Sequence, residues 1–315
     1  MGTGEIGLPS LHWLIGQRDQ HKVVGVYTQP DKKIGRKQIL TPPAVKVAAE
    51  EAGIPVLQPE SFRNNGAALI QLQSLRCDIA IVMAYGQILP KAVIAAPTKA
   101  CINLHASLLP RHRGAAPIQA AIRDGDETSG ITLMHIAPKL DAGDMILKES
   151  LTILPTDTGG ILHDKLAELG PILLQRAFPT LEQDSIPAEK QNEDLVTYSG
   201  KLEREHGSID WTQPAEQLER LIRAYDPWPG TYTKLEHSGE SRKLKIFPTS
   251  LTGPDSDKPP GTVLSNQNEL TVSCGEGSLV LHGDLQLDGR KRMKGADLLR
   301  GVDIPIGTIL NSNRD

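Results

Sequence analysis

The chain has 315 residues, a length that suits two domains better than one. Its 34 Lys and Arg against 38 Asp and Glu leave a net charge of −4, which excludes a uniformly basic nucleic-acid coat, and 3% aromatic residues are too few for an interface built mainly on stacking. Cys77, Cys101 and Cys274 lie far apart and form no CxxC pair, which excludes a disulfide framework and reads as reduced thiols in a cytoplasmic protein.

The chain opens on a glycine turn, Gly2-Thr3-Gly4-Glu5-Ile6-Gly7, with no basic-then-apolar leader before it. Nowhere does an apolar run reach the roughly 18–20 residues of a membrane span, so no membrane partner is expected. Leu8, Leu11, Leu14 and Ile15 carry helical spacing, and Val23 to Tyr27 is a compact β-branched run. Pro43 to Ala52 reads as a helix with Gly53 at its C′ position, followed by a strand over Ile54 to Leu57. Ala67 to Leu75 is amphipathic, and Ile79 to Met83 is a fully apolar strand ending at Ala84-Tyr85-Gly86. Continuous apolar strands between helices predict an α/β domain with a Rossmann-like parallel sheet covered on both faces. Cys101 to His105 is a further strand with polar residues at its end, and ligands collect at the carboxyl ends of such strands.

Ile161 to Phe178 reads as a long helix closing this first domain, placed at residues 1–181. Residues 182–205, polar and poorly periodic with Pro187 among them, read as a linker. Residues 206–315 then carry one helix, Ala215 to Ala224, and short strands near Gly230–Leu235, Leu244–Pro248, Gly261–Leu264, Leu270–Cys274, Leu279–Leu281 and Leu285–Leu287. That spacing predicts a small OB-like β-barrel.

Gly2-x-Gly4-x-x-Gly7 matches the dinucleotide-binding fingerprint in letters but lacks its preceding strand and its acidic residue at the end of the second strand. A nicotinamide-dependent oxidoreductase is therefore a remote alternative to a tight turn that needs glycine for its geometry. The richest stretch is Asn103-x-His105-x-Ser107-Leu108-Leu109-Pro110-Arg111-x-Arg113-Gly114-Ala-Ala-Pro117-Ile118. Asn103 and His105 are two apart on a strand and share a face. An amide donor beside an imidazole suits acyl-type transfer, the amide holding an oxyanion and the imidazole moving protons. Downstream, Leu140-Asp141-Ala142-Gly143-Asp144 places a carboxylate at a small-residue turn, where it can orient a histidine or merely form an Asx turn. His135 reads as a packed histidine, and no residue spacing suggests a metal site.

Those two motifs, with Thr28-Gln29-Pro30-Asp31, Ala84-Tyr85-Gly86-x-Ile88-Leu89-Pro90, Asp164-Lys165-Leu166-Ala167-Glu168-Leu169-Gly170, Ile209-Asp210-Trp211 and Asp226-Pro227-Trp228-Pro229, closely resemble the methionyl-tRNA branch of the folate-dependent formyltransferase family along nearly the whole chain. The resemblance implies transfer of the formyl group of 10-formyltetrahydrofolate to the α-amine of initiator methionyl-tRNA. In that reading Asn103, His105 and Asp141 are catalytic. Ser107, Leu108, Leu109 and Pro110 bind the folate, and no metal takes part. Arg36, with Lys32, Lys33 and Lys37, contacts tRNA, and Arg290 to Lys294 form a second basic cluster. No obligate protein partner is expected. A formyltransferase acting on an amino-sugar nucleotide shares the catalytic set and is the first alternative. The family begins with a β-strand ahead of the glycine turn, so the reading also expects a first strand upstream of Met1.

Overall fold

The computed structural model describes residues 1–35, 37–183, 186–237, 239–248 and 253–311. The chain forms two units, one of Met1–Pro117, Thr128–Thr152 and His163–Ser199, the other of Ile118–Glu127, Ile153–Leu162 and Gly200–Asp315.

In the first unit the apolar runs become short strands: β1 (Val26–Tyr27), β2 (Lys32–Ile34), β3 (Ile39–Thr41), β4 (Val56–Leu57), β5 (Ile79–Val82), β6 (Ala100–His105), β7 (Arg113–Gly114), β8 (Thr128–His135), β9 (Met145–Thr152) and β10 (Tyr198–Ser199). Helices α1 (Leu8–Gly16), α2 (Ala44–Glu51), α3 (Gly66–Ser74) and α4 (Lys91–Ile94) alternate with them; α5 (Pro117–Arg123) follows β7 and falls in the second unit from Ile118, and α6 (Gly159–Leu181) follows β9 and returns to the first unit at His163. The predicted stop after α2 is a Schellman turn: Gly53 has φ +70°, its N–H donates to Glu50, and the Ile54 N–H reaches back to Ala49.

β1 pairs in parallel with β4, and β5 with β6, as continuous apolar runs between helices predict. Met1 and Gly2 link these pairs, because the Gly2 N–H donates to Tyr27 (2.9 Å) and Met1 accepts from Met83 (3.0 Å). A Cβ on Gly2 would stand 2.9 Å from the Met83 carbonyl, so this opening glycine serves close strand approach. The sheet continues with β8 antiparallel to β6 and β9 antiparallel to β8, so its parallel part stops at β6. Periodicity does not encode strand direction. β8 and β9 are joined by the short turn at Leu140–Asp144, too short for the crossover a parallel pair requires.

The second unit holds α7 (Ala215–Ala224), β11 (Thr231–His237), β12 (Glu240–Ile246), β13 (Val263–Ser265), β14 (Leu270–Ser273), β15 (Ser278–Leu281), β16 (Asp284–Leu287), β17 (Met293–Lys294) and α8 (Gly295–Gly301). The strands expected of a small barrel are present as two sheets, ordered β11-β12-β16-β17 and β13-β14-β15. Residues near the C-terminus bridge them, Asn311 pairing with Lys234 and Ile309 with Thr262. One core lies beneath, where Leu244, Val263, Leu270, Val272, Leu279, Leu285, Leu287 and Leu298 are all fully buried. Among the described residues no helix is long and apolar enough to cross a membrane.

Leu244→Ala is expected to cost about 2–5 kcal/mol, because the facing sheets collapse only partly onto a lost isobutyl group. The fall in the second unit's denaturant midpoint measures it.

Candidate active site

β6 is buried along nearly its whole length, and its carboxyl end presents Asn103 and His105 on one face. Asn103 is half-buried and makes no side-chain hydrogen bond among the described residues, which leaves its amide for a ligand. His105 is buried at 6% exposure, and its Nε2 lies 3.0 Å from the His112 carbonyl. A carbonyl only accepts, so Nε2 carries the proton and the neutral ring presents the lone pair of Nδ1. Nδ1 faces Asp141 Oδ2 at 3.7 Å, too long for a hydrogen bond. The tautomer of His105 is thus set by the His112 carbonyl, a partner the sequence reading missed, rather than by Asp141.

Asp141 lies in the turn between β8 and β9 with φ +46°, in the left-handed region that non-glycine residues seldom occupy. Its Oδ2 accepts a 2.8 Å hydrogen bond from the Gly114 N–H. Gly114 has φ +123°, and a Cβ there would stand 2.2 Å from the Ser199 carbonyl, so only glycine lets β7 lie against β10. That pairing is parallel and tight, with Arg113 donating to Thr197 (2.9 Å) and Ala115 to Ser199 (2.8 Å). The His112 N–H donates to Thr197 Oγ1 at 2.8 Å. Residues 191–199, inside the stretch that reads as a linker, therefore belong to the wall of the site.

Between the strands lies a buried polar pair. Arg113 is fully buried and donates through Nε (3.0 Å) and Nη2 (2.8 Å) to Gln191 Oε1, while Gln191 Nε2 donates to the carbonyls of Asp141 and Gly143, each at 2.8 Å. Nη2 also reaches Glu193 Oε1 at 2.8 Å, and Lys139 holds the other carboxylate oxygen at 2.6 Å. The Arg113 bond and then the Lys139 bond draw the Glu193 carboxyl pKa down to about 2. No apolar period or motif flags Gln191; Arg113 stands inside the quoted motif, but its side chain turns inward.

Ser107 to Pro110 form the turn after β6. The Ser107 side chain is buried and donates to the Arg111 carbonyl at 2.7 Å. Thr132 Oγ1 on β8 donates to the Ser107 carbonyl (2.7 Å) and accepts from the Leu109 N–H (3.1 Å), and Lys148 Nζ donates to the Leu109 carbonyl (2.6 Å). Leu109 packs into a small cluster with Met134 and Met145. Ser107 and Leu109 are consumed by the fold, and the half-buried Leu108 and Pro110 are the members of this stretch that offer apolar surface to a ligand.

Lys32, Lys33 and Lys37 are exposed on the β2–β3 hairpin, whose Ile34, Ile39 and Leu40 are each more than half exposed. Arg36 lies outside the described residues. Asp31 anchors the base of the hairpin, accepting from Gln58 (2.8 Å) and Lys46 (2.9 Å), and those two bonds hold its carboxyl below the usual range. In the second unit Lys294 and Arg292 both pair with Asp284, whereas Arg290 and Lys291 have no ion pair among the described residues. Among the described residues no group of three or more His, Cys, Asp or Glu is placed to hold a metal ion.

Two outcomes follow from this geometry. Gly114→Ala is expected to separate β7 from β10 and lower thermal stability along with activity, because the new Cβ meets backbone that cannot rotate away. Glu193 has a folded pKa below its unfolded value of 4.5, so its stabilisation is complete above pH 4.5 and fades as pH falls toward about 2. Acid unfolding of Glu193→Gln should therefore differ from the parent above that window and converge with it at the acid end.

A family model for "Formyl transferase" matches residues 5–178, and one for "Formyl transferase, C-terminal domain" matches residues 201–303. The methionyl-tRNA formyltransferase of Akkermansia muciniphila is 49% identical over 303 residues, covering 96% of this chain and 95% of that protein. The Bacillus subtilis protein of the same name is 42% identical over 316 residues, covering 100% and 98%. Among solved structures, WlaRD, a sugar 3N-formyl transferase crystallised in the presence of dTDP and 5-N-formyl-THF, aligns with a TM-score of 0.61 at 18% identity, over 92% of this chain and 97% of that one. That last likeness shows the shared fold. With both halves matched in order and relatives this similar along its whole length, the chain belongs to the methionyl-tRNA formyltransferase family.

Proposed function

We propose that this protein transfers the formyl group of 10-formyltetrahydrofolate to the α-amine of methionine on initiator tRNA. The observation that carries the reading is the convergence of Asn103, His105 and Asp141 at the carboxyl end of β6, in a chain whose relatives are named for this reaction. The amine nitrogen bonds to the formyl carbon, the bond from that carbon to folate N10 breaks, and the proton lost by the amine ends on N10.

Asn103 and the Nδ1–H of a protonated His105, the ring nitrogen that the His112 carbonyl does not take, stabilise the negative charge on the formyl oxygen in the tetrahedral intermediate, each such donor being worth about 2.7–4 kcal/mol. Asp141 faces Nδ1 at 3.7 Å and orients the ring toward the reacting group. Leu108 and Pro110 supply apolar contact for the folate ring system, on a turn braced by Thr132 and Lys148. The first unit carries this chemistry, and the second supports the tRNA. The Lys32, Lys33 and Lys37 side chains contact its phosphates, with Arg36 in the same hairpin; local patches of this kind suit a chain of net charge −4.

A formylation assay offering 10-formyltetrahydrofolate with either charged initiator tRNA or a dTDP-linked amino sugar tests the reading. Transfer to the tRNA alone is expected, and transfer to the sugar alone would overturn it. Asn103→Ala and His105→Ala should each lose about 10²–10³-fold in kcat while tRNA binding persists. Replacing Lys32, Lys33 and Lys37 by Gln should weaken tRNA binding and flatten its salt dependence, each lost phosphate contact removing about 0.7–0.9 from the logarithmic slope.

A further inference from the structure

Gln191 occupies a place that the proposed chemistry does not explain. It is buried at 8% exposure, 50 residues from Asp141 and 78 from Arg113 in sequence, yet its amide bridges the two. The chemistry of its partners fixes its orientation. Arg113 only donates, so the oxygen must face it, and the carbonyls of Asp141 and Gly143 only accept, so the NH2 must face them. No other side chain of this shape satisfies both ends.

We infer that Gln191 is a positioning residue for Asp141, and that buried Arg113 fixes it in that role. The inference rests on the proposed part of Asp141 in formyl transfer. Asp141 has a positive φ and holds its carboxylate 2.8 Å from the Gly114 N–H and 3.7 Å from His105 Nδ1. A non-glycine backbone in that region persists only when its surroundings hold it there. Gln191 holds it by two carbonyls, those of Asp141 itself and of Gly143. Glu193 bonds both Arg113 and Lys139, so the same short segment of chain also secures the entry to the turn. The carboxylate is thereby kept at a fixed distance from the ring it serves, and misplacement on the ångström scale costs a catalytic group up to about 10²-fold.

The test compares Gln191→Leu, Gln191→Glu, Asp141→Asn and the two double variants in the full-length protein. Gln191→Glu keeps an acceptor for Arg113 and reverses only the end facing Asp141, so it preserves the fold if the leucine variant does not. Either Gln191 substitution should lower kcat about tenfold or more, with KM for both substrates and the thermal midpoint of the glutamate variant little changed. In the Asp141→Asn background the same substitutions should cost less than about twofold, because a residue acting through Asp141 has nothing left to position. Losses that multiply in the double variants, or a kcat within twofold of the parent in Gln191→Glu, would overturn the assignment while leaving the role of Asp141 intact. Full activity in Asp141→Asn alone would instead remove the role of Asp141, and this inference with it.

Discussion

The pairing of β7 with β10 is the constraint on which the rest of the site depends. Three consecutive residues use it. The His112 carbonyl sets the tautomer of His105, the Arg113 side chain holds Gln191, and the Gly114 N–H holds Asp141. A two-residue ladder is weak by itself, since each net hydrogen bond contributes only about 0.5–1.5 kcal/mol. Its geometry is over-determined by Thr197, whose carbonyl and hydroxyl bind neighbouring N–H groups, and by the absence of a Cβ at Gly114.

The charged groups around the site differ sharply in burial. Arg113, always charged and fully buried, gives up its hydration, and that is tolerable because Gln191 and Glu193 accept from it. Glu193 and Lys139 stand at the rim, more than half exposed, where solvent screens them. The groups that bond the Asp141 turn directly are neutral: a backbone N–H and the amide of Gln191.

Much of this was legible from residue types. The apolar runs marked β5 and β6, Gly53 marked the end of α2, and Asn103-x-His105 placed two polar side chains on one face of a strand end. Other features were not legible for identifiable reasons. Strand direction leaves no local signal, and so the antiparallel β8 and β9 extend a sheet expected to be parallel. Gln191 sits in a polar, proline-containing stretch without periodicity, so nothing local distinguishes it from solvated surface. The resemblance gives Ser107 to Pro110 together a folate-binding role, and it does not show that Ser107 and Leu109 face inward because Thr132, a neighbour only in the folded sheet, takes the backbone groups of both.

Sequence alone determined the alternation of helices and strands, the family, and the residue types able to carry acyl transfer, because periodicity and side-chain chemistry are local properties of the chain. Tertiary structure decided which of those residues meet. The distance from His105 to Asp141 and the clamp on the Asp141 turn depend on groups dozens of residues apart, and the tautomer of the ring depends on a carbonyl that the turn after β6 folds back onto it; such meetings leave no mark in the letters of a sequence.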